Sequence, residues 1–403
     1  MSYSDLKQYI RKYFLDAYVL VFFYILFFDH KHIDIVRAPF FIFLLWCIFK
    51  KHLHWRFLFD IITTSIWAFA VFAFSSNLVN GIDQKEIVRI LNWLYPYLLA
   101  KYILMYSDFS KERMLSYFLS FASCFSLAGI FGFLFQWDTL LGIALFEGNR
   151  FVFTFSGINR AGFYLATAII FNLYFFFKDR FVLQKGNLIY AVSLIIIACG
   201  LVLTHERKSL LMVGAVLLIF LFVCKRYWYI AAIFIASACI VSLAPIPDRY
   251  QPREMFLNDG MQGRYNAWEA AIGLFKEKPL LGHGYPSFEN AYSNYYKKNE
   301  ETFKFKVFNR YGIAHNLNLN VMAETGILGL IAMNVIFFSI WEFTAFRKKD
   351  KFVFVVGTAI VFIYITMQFG NFVHAPIRTD LAFFIFGLFM GSRQRTYKGK
   401  EQQ

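Results

Sequence analysis

Apolar runs of bilayer length recur along most of this 403-residue chain, and they leave few folds open. Candidate spans lie at about 13–28, 35–49, 57–79, 86–106, 114–136, 161–177, 188–204, 209–224, 227–245, 318–345, 352–373 and 377–391. A helix needs about 20 residues to cross the hydrocarbon of a bilayer. Lipid offers the backbone no hydrogen bonds, so each segment must satisfy its own, and that selects helices. The expected class is an all-α polytopic membrane protein with about twelve transmembrane helices. A hydrophobic share of 59%, 53 Phe and a mean hydropathy of +0.50 agree with it. In a soluble protein a net charge of +15 would point to nucleic acid. In a membrane protein it follows from Lys and Arg gathered in cytoplasmic loops, so no nucleic-acid partner is expected.

Charge also orients the chain. Starting from the N-terminus, alternate loops carry basic groups such as Lys7-Arg11-Lys12, Lys50-Lys51-Arg56, Lys225-Arg226 and Arg347-Lys348-Lys349. The intervening short loops carry far fewer. By the positive-inside rule both termini are cytoplasmic. The predicted organisation is transmembrane helices 1–9 over 1–245, an outer loop domain over 246–316, and helices 10–12 with a cytoplasmic tail over 317–403. The basic start and apolar run of the first 28 residues lack a small-residue cleavage site and read as a retained span. All five cysteines fall inside apolar runs, where free Cys acts as a small hydrophobe, and no disulfide is expected.

This orientation leaves several arginines on the outer side, against the charge rule: Arg150, Arg160, Arg207, Arg249, Arg253, Arg264 and Arg378. Guanidinium groups suit phosphate because they form two parallel, charge-assisted bonds. A basic rim at the outer leaflet would suit a lipid diphosphate. In the long loop, Arg264 to Lys276 reads as a helix, with Trp268, Ala271, Ile272 and Phe275 on one apolar face. Pro279, Gly282, Gly284 and Pro286 then turn the chain. Tyr285, Tyr292, Tyr295 and Tyr296 give aromatic surface, either to stack on sugars or as an interfacial belt. His315 closes the loop where the next apolar run begins. An ionisable group at a membrane boundary invites a functional reading, and histidine exchanges protons near neutral pH. A satisfied structural histidine at a helix start is the plain alternative.

His315-Asn316 followed by Gly326-x-x-Gly329 resembles the signature of the O-antigen ligase and polymerase superfamily. Thr204 to Arg207 is similar to that family's Thr-x-(Ser/Thr)-Arg turn, with Glu206 in place of the small hydroxyl residue. GRYNAW through KEKPLLGHGYPSF resembles its Arg-bearing loop helix and Pro-x-x-Gly-x-Gly element, and Gly370-Asn371-Phe372 is similar to enterobacterial ligases. The two glycines of the histidine motif are expected to allow close helix contact.

The resemblance implies a glycosyltransferase of the C class. The donor would be undecaprenyl-diphosphate-linked O-antigen and the acceptor lipid A–core oligosaccharide, with inversion at the anomeric carbon and no metal, nucleotide or other cofactor. The sequence contains no DxD motif and no nucleotide glycine loop. By the same resemblance His315 is the general base, and Arg207 and Arg264 hold the diphosphate. Arg160 and Arg89 are further substrate-binding candidates, although Arg89 also fits a snorkelling charge. Asn316 orients the histidine or caps the next helix. Asp60 and Lys101, towards cytoplasmic ends, read as structural. An O-antigen polymerase, glycan transfer to protein, and a lipid-linked glycan transporter stay open as alternatives.

Overall fold

The computed structural model describes residues 3–28, 32–50, 53, 55–106, 109–140, 142–147, 150–155, 158–178, 188–223, 225, 259–306, 313–344, 350–369 and 376–401. The expected span at 227–245, Arg249, Arg253, Cys224 and Cys239 lie outside them. The helices in chain order are α1 Tyr3–Phe28, α2 Ile33–Phe49, α3 Trp55–Leu58, α4 Ile61–Asn80, α5 Ile87–Leu91, α6 Leu94–Tyr106, α7 Lys111–Phe135 and α8 Ile158–Lys178. There follow α9 Leu188–Leu203, α10 Arg207–Val223, α11 Asp259–Glu277, α12 Phe288–Asn299, α13 Leu317–Thr344, α14 Lys351–Gln368 and α15 Pro376–Glu401. Among the described residues, four segments are long and apolar enough to cross a membrane, Ile61–Asn80, Lys111–Phe135, Leu317–Ser339 and Lys351–Gln368. Shorter apolar helices accompany them. The protein is a multi-pass, mainly helical membrane protein.

Three elements depart from the expected spans. The run at 86–106 is broken at Asn92 and Trp93 into α5 and α6. The turn at 137–160 contains two short antiparallel ribbons, Thr139–Leu140 with Ile143–Ala144 and Phe146–Glu147 with Arg150–Phe151. The third departure is α13, whose hydropathy over Leu317–Ser339 reads as one span. Gly326 has φ 66° and ψ −162°, so the helix stops there and restarts. Asn334 Nδ2 donates to Asn318 Oδ1 at 3.2 Å. On a straight helix, sixteen residues would set these two about 24 Å apart. The two arms, 317–325 and 327–344, therefore fold back on each other as a sharp V. Gly329 sits where the arms cross, and a Cβ there would lie 1.9 Å from Thr325 Oγ1.

Two apolar cores follow from this. The large one joins the bundle helices through stacked and edge-on rings such as Phe163–Phe362 and Trp93–Phe383. The small one lies in the loop region: Ala267, Ala270, Ala271 and Leu274 of α11, Phe288, Tyr292 and Tyr296 of α12, Phe303, Ala314, and Ala323 of the first arm of α13. The loop unit thus extends past residue 316 to the Gly326 turn. Its buried face on α11 differs from the predicted one, since Ile272 is exposed and the alanines face inward. The tyrosines are also reassigned: Tyr285, Tyr292 and Tyr296 are buried, and Tyr292 and Tyr296 hold the loop core together instead of offering a sugar-stacking surface.

The tightest helix pair is α6 with α15. A Cβ on Gly387 would lie 2.1 Å from the Tyr97 carbonyl oxygen, and one on Gly391 3.1 Å from Lys101 Cα. This small-xxx-small pair, four residues apart, lets two backbones meet. Gly387→Leu is expected to lower the detergent melting temperature by several degrees, whereas Gly214→Leu, with open space around it, is not; equal melting curves would contradict this packing. Beneath it, Lys101 Nζ is buried against Asp60 Oδ2 at 2.6 Å and the Phe57 carbonyl at 2.6 Å. Asp60 also caps α4 through the Thr63 amide and accepts from the Tyr97 hydroxyl. These contacts join α3, α4 and α6, in keeping with a structural reading of both residues.

Candidate functional site

The loop unit is fastened to the bundle at the end of α4. Asn77 grips Tyr285 from both sides, its Nδ2 donating to the Tyr285 carbonyl at 2.6 Å and its Oδ1 accepting the Tyr285 amide. Asn80 Nδ2 donates to the Gly282 carbonyl at 3.0 Å, and Ser76 Oγ donates to the Glu324 carbonyl at 2.9 Å. The Pro279–Gly284 element then seats on the V of α13. The Ile327 amide donates to the Pro279 carbonyl at 2.9 Å, and the Gly284 amide to the Glu324 carbonyl at 2.8 Å. Gly326 and Gly282 have no room for a Cβ, which would meet the Leu280 carbonyl oxygen at 2.3 Å and Glu324 C at 2.5 Å. Gly326 thus serves a loop–helix approach, and only Gly329 the expected contact of helix with helix.

His315 lies two residues before α13 with φ 54°, a left-handed conformation that costs a non-glycine residue about 1–2 kcal/mol. Its neighbours are fixed on both sides. The Ala314 amide donates to Asn320 Oδ1 at 2.9 Å, and the Ala314 carbonyl accepts from Trp268 Nε1 at 2.8 Å. Asn316 Oδ1 caps α13 by accepting the Leu319 amide at 3.0 Å, and its Nδ2 donates to the Gln368 carbonyl at 3.2 Å. The capping role and the anchoring of the histidine's neighbour are both present. Arg264 is one helical turn before Trp268 on the same face of α11, half-buried, and forms no ion pair among the described residues. Trp268 therefore ties the helix of Arg264 to the segment that leads into His315.

A second group lies at the same end of the bundle. Thr204 Oγ1 accepts the Glu206 amide at 3.2 Å, His205 takes φ 52°, and Glu206 Oε2 accepts the Ser209 amide at 2.7 Å. Glu206 is thus the N-cap of α10, which Arg207 opens. The carboxylate does the capping work a small hydroxyl would do, and also pairs with Lys208 at 3.3 Å. Its side chain presses on Gly162, near Arg160 in the first turns of α8. Helix α8 runs antiparallel to α14: Phe163 stacks on Phe362, and Tyr174 meets Phe352 edge-on. The start of α8 and the Asn316–Gln368 contact therefore share one end. Arg89 stands past the end of α4, 64% exposed and paired with Glu86 at 2.5 Å. The opposite end carries the Lys111–Asp350 pair at 3.4 Å.

His283 supports the loop. Its Nε2 donates to the Leu274 carbonyl at 3.0 Å, and burial pushes its pKa down against that bond, with Lys278 pushing the same way. A histidine depressed in the folded state gives stability that is complete above its ordinary pKa of about 6.5 and is lost as pH falls from there through its lowered folded value. The loop unit is expected to melt earlier at pH 5 than at pH 8, and His283→Gln to flatten that dependence. Equal slopes for both proteins in a thermal unfolding series would refute it.

This bundle, with polar and cationic groups at the end where the folded loop is fastened, is that of a multi-pass membrane protein. The family model described as O-antigen ligase matches residues 192–334, the stretch carrying Arg207, Arg264, His315, Gly326 and Gly329. Residues 192–334 therefore carry the similarity to the O-antigen ligase superfamily. An uncharacterized protein of Haemophilus influenzae is 24% identical over 217 residues, covering 48% of this chain. The matched part spans 53% of that relative's length, about half of it.

Proposed function

We propose that this chain is an O-antigen ligase: a metal-independent, inverting glycosyltransferase of the bacterial inner membrane acting in lipopolysaccharide assembly. It moves O-antigen from undecaprenyl diphosphate onto a sugar hydroxyl of lipid A–core oligosaccharide. In this reading twelve spans form a glycosyltransferase of the C class, both termini are cytoplasmic, and the site faces the periplasm. His315 takes the proton of the acceptor hydroxyl. The acceptor oxygen attacks the anomeric carbon from the face opposite the diphosphate, the bond to the diphosphate breaks, and its electron pair leaves with undecaprenyl diphosphate. Arg207 and Arg264 bind that diphosphate and offset its developing charge, with Arg160 and Arg89 as outer contacts and Asn316 orienting the histidine. The observation that carries the reading is a left-handed His315 fixed through both neighbours, inside the family-matched segment.

Purified protein given lipid-linked O-antigen and rough lipopolysaccharide is expected to form core-linked glycan. Elongated lipid-linked glycan in its place would mean a polymerase. Movement of the donor across vesicles with no new glycosidic bond would mean a transporter. Arg207→Lys keeps the charge but loses the bidentate fork. A charged hydrogen bond contributes about 1.5–3 kcal/mol, so transfer is expected to fall about 10- to 100-fold. Full activity in that variant would remove the two-pronged contact.

A further inference from the structure

The polar groups around His315 form a chain that starts in another helix. Glu324 is 1% exposed and lies at the N-terminus of α12, where its Oε1 accepts the Ser287 amide at 3.1 Å and the Phe288 amide at 3.0 Å. Helix N-termini favour a carboxylate at this place. Its other oxygen, Oε2, accepts from Asn320 Nδ2 at 2.8 Å. Asn320 is 0% exposed, and this bond decides which way its amide faces. With the NH2 group turned to a carboxylate, the amide oxygen must face the Ala314 amide, which donates to it at 2.9 Å. The links from the Phe288 amide through Glu324 and Asn320 to the Ala314 amide are buried from water, and the last ends one residue before the left-handed His315.

We infer that Asn320 and Glu324 are positioning residues for His315, holding its backbone in the left-handed conformation through the Ala314 amide without touching substrate. The inference rests on the reading of His315 as the base. A strained residue keeps its conformation only where its surroundings over-determine it. Freeing the Ala314 amide lets φ of His315 relax, which swings its Cα–Cβ bond and carries the imidazole away from the acceptor hydroxyl. A displacement of about 1 Å typically costs on the order of 10²-fold in rate.

Three variants separate positioning from plain stability. Asn320→Leu removes both hydrogen bonds at similar volume. Glu324→Gln keeps a carboxamide oxygen for α12 but turns a donor towards Asn320, so it probes the relay even where Asn320→Leu fails to fold. Both are expected to lower kcat on the order of 10²-fold per folded molecule, with KM for the donor little changed. Asn320→Asp keeps the acceptor for Ala314 but sets two carboxylates together, which share a proton only in acid. Its kcat is expected to recover as pH falls, unlike that of the unmodified protein. A second readout needs no transfer at all: the carbon-13 histidine spectrum, with the His315 signal assigned by its loss in His315→Ala. The His315 signal is expected to shift or broaden in Glu324→Gln and Asn320→Leu while that of His205 stays. An unmoved His315 signal overturns the inference, as does unchanged kcat with an unchanged pH profile. A moved signal in a protein that transfers no glycan upholds the positioning and overturns the proposed reaction instead.

Discussion

Replacing His315 by alanine is expected to erase the smooth lipopolysaccharide ladder and to lower transfer in vitro by about 10²–10⁴-fold, the usual contribution of a general base. The protein should still insert and fold. The His315 side chain lies in neither core, and its segment is anchored by the amide and carbonyl of Ala314 and the side chain of Asn316. Alanine keeps these anchors while it removes the imidazole. The loss should therefore appear in kcat, with the melting curve and donor binding close to those of the unmodified protein. A ladder of normal length from this variant would end the general-base assignment. A variant that vanished from the membrane would point to a structural histidine.

The largest effect on folding is expected from Gly326→Ala. Its φ of 66° and ψ of −162° fall in a region open essentially to glycine alone. Strain of this kind costs about 1–3 kcal/mol before any collision is counted. The added Cβ would stand 2.3 Å from the Leu280 carbonyl oxygen and 2.6 Å from the Leu281 amide nitrogen, both backbone atoms that cannot turn aside. The V of α13 would have to open, unseating the 279–284 segment and the Glu324 cap of α12 together. Little folded protein should survive size-exclusion chromatography at 37 °C. Gly329→Ala meets the Thr325 hydroxyl, a side chain that can rotate, and should cost less. If Gly326→Ala were as stable as Gly329→Ala, the fold-back would be wrong.

The sequence pattern located most helices because apolar runs answer to lipid locally, and each helix closes its own hydrogen bonds. It also singled out Arg207, Arg264 and His315, because their spacing to Thr204, Trp268 and the two glycines is short-range. It misread the long loop where partners come from far away. Tyr292 and Tyr296 have the composition of a surface patch, and only packing against α11 buries them. Gly387 and Gly391 drew no notice, since a glycine inside an apolar run reveals nothing of the helix it will meet. Glu206 departs from the Thr-x-(Ser/Thr)-Arg pattern, and its cap on the Ser209 amide is visible only in three dimensions.

By itself the chain determined that it must be helical and cross a membrane several times, because burial of backbone and the cost of charge in lipid act on each segment alone. Only the tertiary structure decided that one apolar run folds into a V, since the turn at Gly326 exists to admit the backbone of Leu280, forty-six residues upstream. The same meeting of distant segments set the conformation of His315, through a hydrogen-bond chain that begins in α12.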